Sequence, residues 1–183
     1  MPSRLRLNTA FMLSVLLAAA APARAAPDDA SASATAPALE STIPGFRQPR
    51  TALLTGGQPG AQAWSRMGAA GVRTIINLRT DAELAGRDEA GEVAAAGMTY
   101  RQLPVAGASD ITAANALELW RLIDQADGTV LVHCASGNRV GALLALGAAQ
   151  HGMDTEAAIA FGKAAGLGSA EARVRAVLAA PVR

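Results

Sequence analysis

Cysteine and histidine are scarce in this chain of 183 residues. Cys134 is the only cysteine, and His133 and His151 are the only histidines. One cysteine cannot form an internal disulfide, so the fold must be stabilised by its hydrophobic core alone. These three residues are also too few for a zinc site with the usual four ligands, and we expect neither a metal nor a cofactor.

Neither sign of charge dominates the sequence. Sixteen lysines and arginines oppose 15 aspartates and glutamates, which gives a formal net charge of +1. The first 25 residues hold three of the arginines and no acidic residue, so without them the net charge is −2. A mildly acidic chain has no general electrostatic attraction for nucleic acid, and we expect no nucleic-acid partner.

Long apolar runs are rare as well, and a mainly apolar run of 12 residues, 10–21, lies near the amino terminus. It follows Arg4 and Arg6 and precedes an Ala-x-Ala sequence that ends at Ala25, which is the order of features in a secretory signal peptide. The run is shorter than the roughly 20 residues that span a bilayer. We expect residues 1–25 to be a cleaved signal peptide, and the mature chain to be periplasmic or secreted by a bacterium and free of the membrane.

The next segment, residues 27–37, is rich in Ala, Ser and Pro and lacks apolar periodicity, as is typical of a disordered linker. We therefore expect a linker over residues 26–42 and one folded domain over residues 43–183. Cleavage after Ala25 would leave 158 residues, which is enough for one domain with its own core.

Predicted strands and helices alternate through this domain. Short apolar or alternating segments predict strands at residues 51–57, 72–79, 98–105 and 129–133, the first ended by glycines and the third by a proline. Helical spacing of apolar residues predicts helices at residues 59–71, 87–96, 112–126, 139–151, 155–165 and 170–178. This order indicates an α/β domain with a mostly parallel sheet of four to five strands, flanked by helices and followed by a C-terminal helical segment.

In such a sheet the carboxyl ends of the parallel strands meet at one edge, where ligands bind. Arg79 and Asp81 follow one predicted strand, residues 107–110 follow another, and Cys134 follows the last. We expect these three segments to lie close together.

The last of these segments, HCASGNR at residues 133–139, has the features of an anion-binding loop that contains a nucleophile. A tight turn between a buried strand and a helix directs backbone N–H groups inward, and the helix adds its positive dipole end. Gly137 permits such a turn, Arg139 can bind an oxyanion through two hydrogen bonds, and this environment favours a thiolate at Cys134. The candidate substrate-binding residues of the loop are His133, Ala135, Ser136, Gly137 and Asn138. The alternative is a buried core cysteine followed by a surface arginine.

The sequence VHCASGNRVGAL resembles the phosphate loop of cysteine-dependent protein tyrosine and dual-specificity phosphatases. Upstream, TGGQPGAQAWSRMGAAGVRTIINLRTDAE is similar to the bacterial beta-lactamase-hydrolase-like phosphatase domains, with a Gly-Gln-Pro opening and a strand that ends in Asn-Leu-Arg near an acid. The resemblance covers residues 53–165 and implies a tyrosine-phosphatase-like fold. It further implies hydrolysis of phosphate monoesters, with Cys134 as nucleophile, Arg139 as phosphate and transition-state ligand, and His133 as an orienting or pKa-tuning neighbour. The partner would be a phosphorylated protein, including one with phosphotyrosine, or a phosphorylated small molecule.

One departure from the family pattern keeps other chemistry open. Four residues separate Cys134 from Arg139, where the tyrosine-phosphatase loop has five, and Val140 stands where that loop carries a hydroxyl. The bacterial subgroup shares the shorter spacing, but a loop of this length also resembles that of rhodanese-type sulfurtransferases, in which the cysteine carries a persulfide. The alternatives to a phosphatase are therefore such a sulfurtransferase or a non-catalytic oxyanion-binding module.

Hydrolysis of a phosphate ester also needs an acid that protonates the leaving oxygen. The resemblance places this acid between the third strand and the following helix, where Asp110 is the only acidic residue of PVAGASDIT. Asp81, which follows the Asn-Leu-Arg sequence, is the alternative, and either aspartate could instead stabilise a helix start. Arg79 is a candidate second anion contact, or could pair with Asp81 or Glu83.

Overall fold

The computed structural model describes residues 39–180, so the predicted signal peptide and most of the predicted linker lie outside the described residues. Five strands form one sheet in that part of the chain: β1 (Arg47–Arg50), β2 (Leu53–Gly56), β3 (Val72–Asn77), β4 (Thr99–Gln102) and β5 (Thr129–His133). Their order is β1-β2-β5-β3-β4. The β1–β2 pair is antiparallel, and the other three pairs are parallel. The predicted α/β class with a mostly parallel sheet is confirmed.

Helices cover both faces of this sheet. In chain order they are α1 (Ala63–Ala69), α2 (Asp81–Leu84), α3 (Glu89–Ala95), α4 (Ala113–Asp124), α5 (Asn138–Gln150), α6 (Thr155–Ala164) and α7 (Glu171–Leu178). Helices α1 and α3 pack on one face, where Trp64 and Val93 lie in the same apolar cluster as Leu131. Helices α4 to α7 pack on the other face, and α5 is buried along most of its length.

Strand β5 lies at the centre of the sheet, between β2 and β3, and its Val130, Leu131 and Val132 are buried. The parallel register pairs His133 with Gly56 of β2 and with Asn77 of β3. The carboxyl ends of these three strands therefore meet at one edge, which brings the loops after β2, β3 and β5 together. The sequence predicts this for the loops after β3 and β5, and the loop after β2 is an addition.

The sequence patterns do not predict β1 or α2. Strand β1 is a short edge strand of sequence RQPR, whose exposed and half-buried side chains have no apolar alternation. Helix α2 has four residues and depends on a capping box, in which Thr80 and Glu83 each bond the backbone N–H of the other. Ala85 then ends the helix in a left-handed conformation, with φ 51°.

The packed part of the domain begins ahead of residue 43, because Leu39 is buried in the same apolar cluster as Ile43 and Leu54. Residue 39 falls inside the predicted linker, so the last residues of that linker belong to the packed domain. None of the helices between residues 39 and 180 is long and apolar enough to cross a membrane.

Candidate active site

Cys134 lies directly after β5, at the centre of the sheet, and is 1% exposed. Its Sγ accepts a hydrogen bond from the backbone N–H of Gly137 at 3.1 Å. Gly137 has φ +91°, in the left-handed region that glycine occupies at low cost, and α5 starts at the next residue. The turn therefore folds back on the sulfur at the amino terminus of α5, where unpaired N–H groups and the helix dipole favour an anion.

The segment that follows β2 braces this turn. The N–H of Gln58 donates to the carbonyl of Ala135 at 3.3 Å, and Gly57 forms an isolated antiparallel bridge with Ser136. A Cβ atom at Gly57 would lie only 2.8 Å from the carbonyl oxygen of Ala135. Only glycine allows the two backbones to approach so closely, which explains the Gly-Gly-Gln sequence at this strand end.

A carboxylate from the loop after β3 holds Arg139, which lies in the first turn of α5. The guanidinium donates to both carboxylate oxygens of Glu83, at 2.6 and 2.9 Å, and to the carbonyl oxygen of Val105. The hydrogen bonds from Arg139 hold the pKa of Glu83 at about 2, below its usual 4.5. The hydrogen bonds to Glu83, and then the nearby Cys134, raise the pKa of Arg139. Arg139 is therefore an oriented cation close to the thiol.

The sequence alone suggests Glu83 only as a possible partner of Arg79. Arg79 does pair with Glu83 rather than with Asp81: its Nε lies 3.6 Å from the Glu83 carboxylate, and a terminal nitrogen donates to the Glu83 carbonyl at 2.6 Å. The other terminal nitrogen donates to Oε1 of Gln58 at 2.8 Å. The signal that could have identified Glu83 is the Thr-x-x-Glu capping box that begins at Thr80, because it places this carboxylate beside the strand end.

His133 faces the layer of α1 and α3, away from the cluster that contains Cys134. The imidazole is fully buried, and its Nε2 lies 2.7 Å from Oε1 of Glu89. The ring centre is 6.2 Å from that of Trp64. The His133 side chain therefore lies on the side of the sheet that carries α1 and α3. From there it can orient the loop, but it is not placed to bind a substrate directly.

The two candidate acids lie in different surroundings. The carboxylate of Asp110 accepts a hydrogen bond from the N–H of Ala106 at 2.8 Å, in the same loop whose carbonyl binds Arg139. Asp81 is exposed at the start of α2, and its carboxylate accepts a hydrogen bond from Gln102 at 2.9 Å. Of the two, Asp110 belongs to the loop that touches the guanidinium.

The side chain of Asn138 binds the loop between α6 and α7. Its Oδ1 accepts hydrogen bonds from the N–H groups of Gly168 and Ala170 at 2.8 and 3.2 Å, and its Nδ2 donates to Ser169 at 3.0 Å. Because its side chain is engaged in this way, the predicted binding residue Asn138 has only its backbone N–H free for an anion. Its amide instead joins the C-terminal helices to the HCASGNR segment at residues 133–139, which we call the cysteine loop.

The remaining loop residues, Ala135 and Ser136, are exposed. Within residues 39–180, no group of three or more His, Cys, Asp or Glu side chains could hold a metal ion. The edge of the sheet thus combines a buried thiol, the Gly137 N–H directed at it, the amino terminus of the following helix and a guanidinium. This set can bind a tetrahedral oxyanion and place a sulfur nucleophile against it.

A family model described as "Tc-R-P: Polymorphic toxin system, DSP-PTPase phosphatase" matches residues 52–153, which include β2 to β5 and the cysteine loop. A beta-lactamase hydrolase-like protein of Xylella fastidiosa is 41% identical over 98 residues, which are 51% of this chain and 22% of that protein. A protein of the same description from Agrobacterium fabrum is 36% identical over 104 residues, 55% of this chain and 24% of its own length. The chain thus corresponds to about a fifth to a quarter of these curated relatives.

Solved structures have the same fold. A protein of Neisseria meningitidis aligns with a TM-score of 0.62 and 26% identity, over 72% of this chain and 95% of that one. TpbA of Pseudomonas aeruginosa aligns with a TM-score of 0.54 and 25% identity, over 70% and 81%. The matching family model is that of a phosphatase, one of the three functions that the loop length left open. The chain belongs to the DSP-PTPase phosphatase family, the class of cysteine-dependent phosphatases that its HCASGNR loop predicts.

Proposed function

We propose that this chain hydrolyses phosphate monoesters through a phosphocysteine intermediate on Cys134. The observation that carries the proposal is the turn at the amino terminus of α5, where Sγ accepts the Gly137 N–H at 3.1 Å and Arg139 lies close by. A developing negative charge on transferring phosphoryl oxygens would meet N–H donors and a guanidinium that are already in place.

In the first step the thiolate of Cys134 attacks phosphorus, a sulfur–phosphorus bond forms and the bond to the leaving oxygen breaks. The inward N–H groups and Arg139 bind the three non-bridging oxygens throughout. In the second step water attacks the phosphocysteine, and inorganic phosphate and the thiolate are released.

Asp110 is the acid in this proposal. Its loop touches Arg139 through the Val105 carbonyl, whereas Asp81 is engaged by Gln102 at the surface. Asp110 donates its proton to the leaving oxygen in the first step and accepts one from the attacking water in the second. Oδ2 of Asp110 accepts the Ala106 N–H at 2.8 Å, and Oδ1 accepts the Ser109 hydroxyl at 3.3 Å. Oδ1 has the longer hydrogen bond and is the oxygen that would carry the proton.

The substrate class we propose is a phosphorylated protein, with phosphotyrosine as the first candidate. TpbA, a relative of known structure, has been crystallised with phosphotyrosine as a cysteine-to-serine variant. Phosphorylated small molecules are the other candidates, and comparison of a phosphotyrosine peptide with an aryl phosphate separates the two.

The mature domain should release phosphate from 4-nitrophenyl phosphate and from a phosphotyrosine peptide. Cys134→Ser should abolish turnover, because no other residue supplies a thiol. Arg139→Ala should lower kcat/KM by about 10²- to 10³-fold, the usual loss when one charge-stabilising donor is removed. Formation of thiocyanate from thiosulfate and cyanide, without any phosphate release, would contradict the proposal.

We also propose export of the chain through its first 25 residues, on the sequence pattern alone. Expression of the full chain in a Gram-negative host and intact mass measurement of the periplasmic fraction test this. The expected mass is that of a chain beginning at Ala26. A full-length product confined to the cytoplasm would contradict it.

A further inference from the structure

Glu89 is the one carboxylate that is buried within the described residues 39–180. It is 1% exposed, at the start of α3, and His133 beside it is fully buried. An isolated buried carboxylate is costly, so its hydrogen-bond partners must compensate for the water that it has lost.

Both oxygens of this carboxylate are engaged. Oε1 lies 2.7 Å from Nε2 of His133, and Oε2 accepts a hydrogen bond from Nε2 of Gln58 at 2.8 Å. Oε1 of Gln58 in turn accepts from a terminal nitrogen of Arg79 at 2.8 Å. These four residues form a continuous chain of hydrogen bonds, which we call the Glu89 chain: His133, Glu89, Gln58 and Arg79.

The donors and acceptors in the Glu89 chain can be arranged in only one direction. The guanidinium of Arg79 only donates, so Oε1 of Gln58 must face it, and the Gln58 amide nitrogen must face Glu89. The carboxylate of Glu89 only accepts, so His133 must present a protonated Nε2. The Nδ1 atom of His133 is buried without a hydrogen-bond partner, so Glu89 is the only hydrogen-bond partner of this ring.

The Glu89 chain holds the cysteine loop at two places. His133 is the residue before Cys134, and the backbone N–H of Gln58 donates to the carbonyl of Ala135, the residue after it. Its far end, Arg79, contacts Glu83, the residue that orients the proposed phosphate ligand. One buried carboxylate thus links both sides of the thiol.

We propose that Glu89 is a positioning residue for catalysis. By setting the direction of every hydrogen bond from His133 to Arg79, it holds the cysteine loop in the geometry that binds the phosphoryl group. This inference rests on the proposed phosphatase function, and Glu89 itself contacts neither the substrate nor the reacting atoms.

Glu89→Gln is the direct test, because it keeps the shape of the side chain and adds an amide donor. If the new NH₂ group faces the Gln58 NH₂, one hydrogen bond of the Glu89 chain is lost. If it faces Nε2 of His133, that nitrogen must accept, and the ring proton moves to Nδ1, which is buried without an acceptor. We expect kcat on 4-nitrophenyl phosphate to fall by up to about 100-fold, the effect of a displaced catalytic group.

Exchange of the two side chains gives a sharper test. In the double variant Gln58→Glu/Glu89→Gln, the new carboxylate at 58 accepts from Arg79 and from the amide at 89, while the amide oxygen at 89 accepts from His133. Every donor again meets an acceptor. We expect the double variant to recover about tenfold or more of the lost kcat, since the two residues are directly coupled. A double variant no faster than Glu89→Gln would overturn the proposal, as would wild-type kcat in Glu89→Gln.

The matched control is Glu92→Gln, one turn further along α3. Glu92 bonds Arg87 and Trp64 and is not part of the Glu89 chain. Loss of the Glu92 carboxylate should lower thermal stability but leave kcat within about threefold of wild type, a change of well under 1 kcal/mol in the activation free energy.

A second readout does not depend on turnover. Inorganic phosphate should raise the melting temperature of the wild type and of the double variant, and raise that of Glu89→Gln less.

If Glu89→Gln does not fold, Gln58→Met is the variant to use instead. It removes the part-buried amide that connects Glu89 with Arg79, and unchanged kcat in that variant would overturn the proposal. An inactive wild type would instead refute the phosphatase function, while an unequal response to phosphate would still identify Glu89 as a positioning residue of the oxyanion site.

Discussion

Both carboxylate oxygens of Glu83 bind the guanidinium of Arg139, at 2.6 and 2.9 Å, although 56 positions separate the two residues in the chain. The capping box of α2 holds the carboxylate, and the first turn of α5 holds the guanidinium. The orientation of the proposed phosphate ligand therefore depends on a helix of four residues.

Glu83→Gln should weaken catalysis, because an amide can accept only one of the two hydrogen bonds and leaves the guanidinium free to turn. We expect kcat/KM on 4-nitrophenyl phosphate to fall by up to about 100-fold. Glu118→Gln is the control, since Glu118 pairs with Arg121 at the surface. Equal activity in Glu83→Gln and Glu118→Gln would indicate that Arg139 needs no partner.

The same ion pair should make stability depend on pH. Hydrogen bonds from Arg139 lower the pKa of Glu83 to about 2 in the folded protein, against about 4.5 in the unfolded chain. The folded state therefore gains from ionised Glu83 above pH 4.5 and loses that gain as the pH falls towards 2. Because the pair is partly exposed, we expect a contribution of about 1 kcal/mol. Urea unfolding at pH 6 and pH 3 measures it, and the difference between these pH values should be smaller in Glu83→Gln than in the wild type.

The identity of the acid can be tested with two substrates. Asp110→Asn should lower kcat/KM, which reports the first step, by about 10²-fold or more on phenyl phosphate, whose leaving oxygen needs a proton, and by much less on 4-nitrophenyl phosphate. Asp81→Asn should affect neither rate, since this carboxylate bonds Gln102 at the surface. The reverse result, with Asp81→Asn as the slow variant, would exchange the two roles.

Asn138 should matter for stability more than for substrate contact. Asn138→Ala removes three hydrogen bonds to residues 168–170, two of them exposed, and should lower the free energy of unfolding by about 1 to 2 kcal/mol. Gln150→Ala, at the other end of α5, removes a single surface hydrogen bond and serves as the control. Both variants can be compared by urea denaturation. Equal unfolding midpoints for the two would mean that the link to the C-terminal helices contributes nothing.

Gly141 lies where α5 crosses α6. A Cβ atom there would lie 2.1 Å from the backbone nitrogen of Leu167 and 2.6 Å from the carbonyl oxygen of Gly162. Gly141→Ala should therefore separate the helices and lower the free energy of unfolding by about 3 kcal/mol. Gly60→Ala, where a Cβ meets no atom within 4 Å, should change it by less than about 0.5 kcal/mol. Thermal denaturation of the two variants side by side measures the difference.

The strands and helices that could be predicted are those whose pattern lies within one segment of the sequence. The buried run TVLVH predicts β5 at its observed bounds, and apolar spacing predicts helices close to those observed for α4 to α7. Strand β1 has no such pattern, because RQPR becomes a strand only through its pairing with β2. Helix α2 is too short for periodicity and shows only its capping box.

Local patterns of the amino-acid sequence predict the α/β class, the family and the position of the cysteine loop between a buried strand and a helix, because periodicity and the HCASGNR motif each lie within one segment. The charged pairs between distant segments are visible only in the folded chain. Glu83 reaches Arg139 across 56 residues, and Glu89 reaches His133 across 44. Such pairs depend on which strand ends meet at the edge of the sheet, and no local pattern records that. The structure likewise shows that the Asn138 side chain is a link to the C-terminal helices, which leaves its backbone N–H as the candidate anion donor.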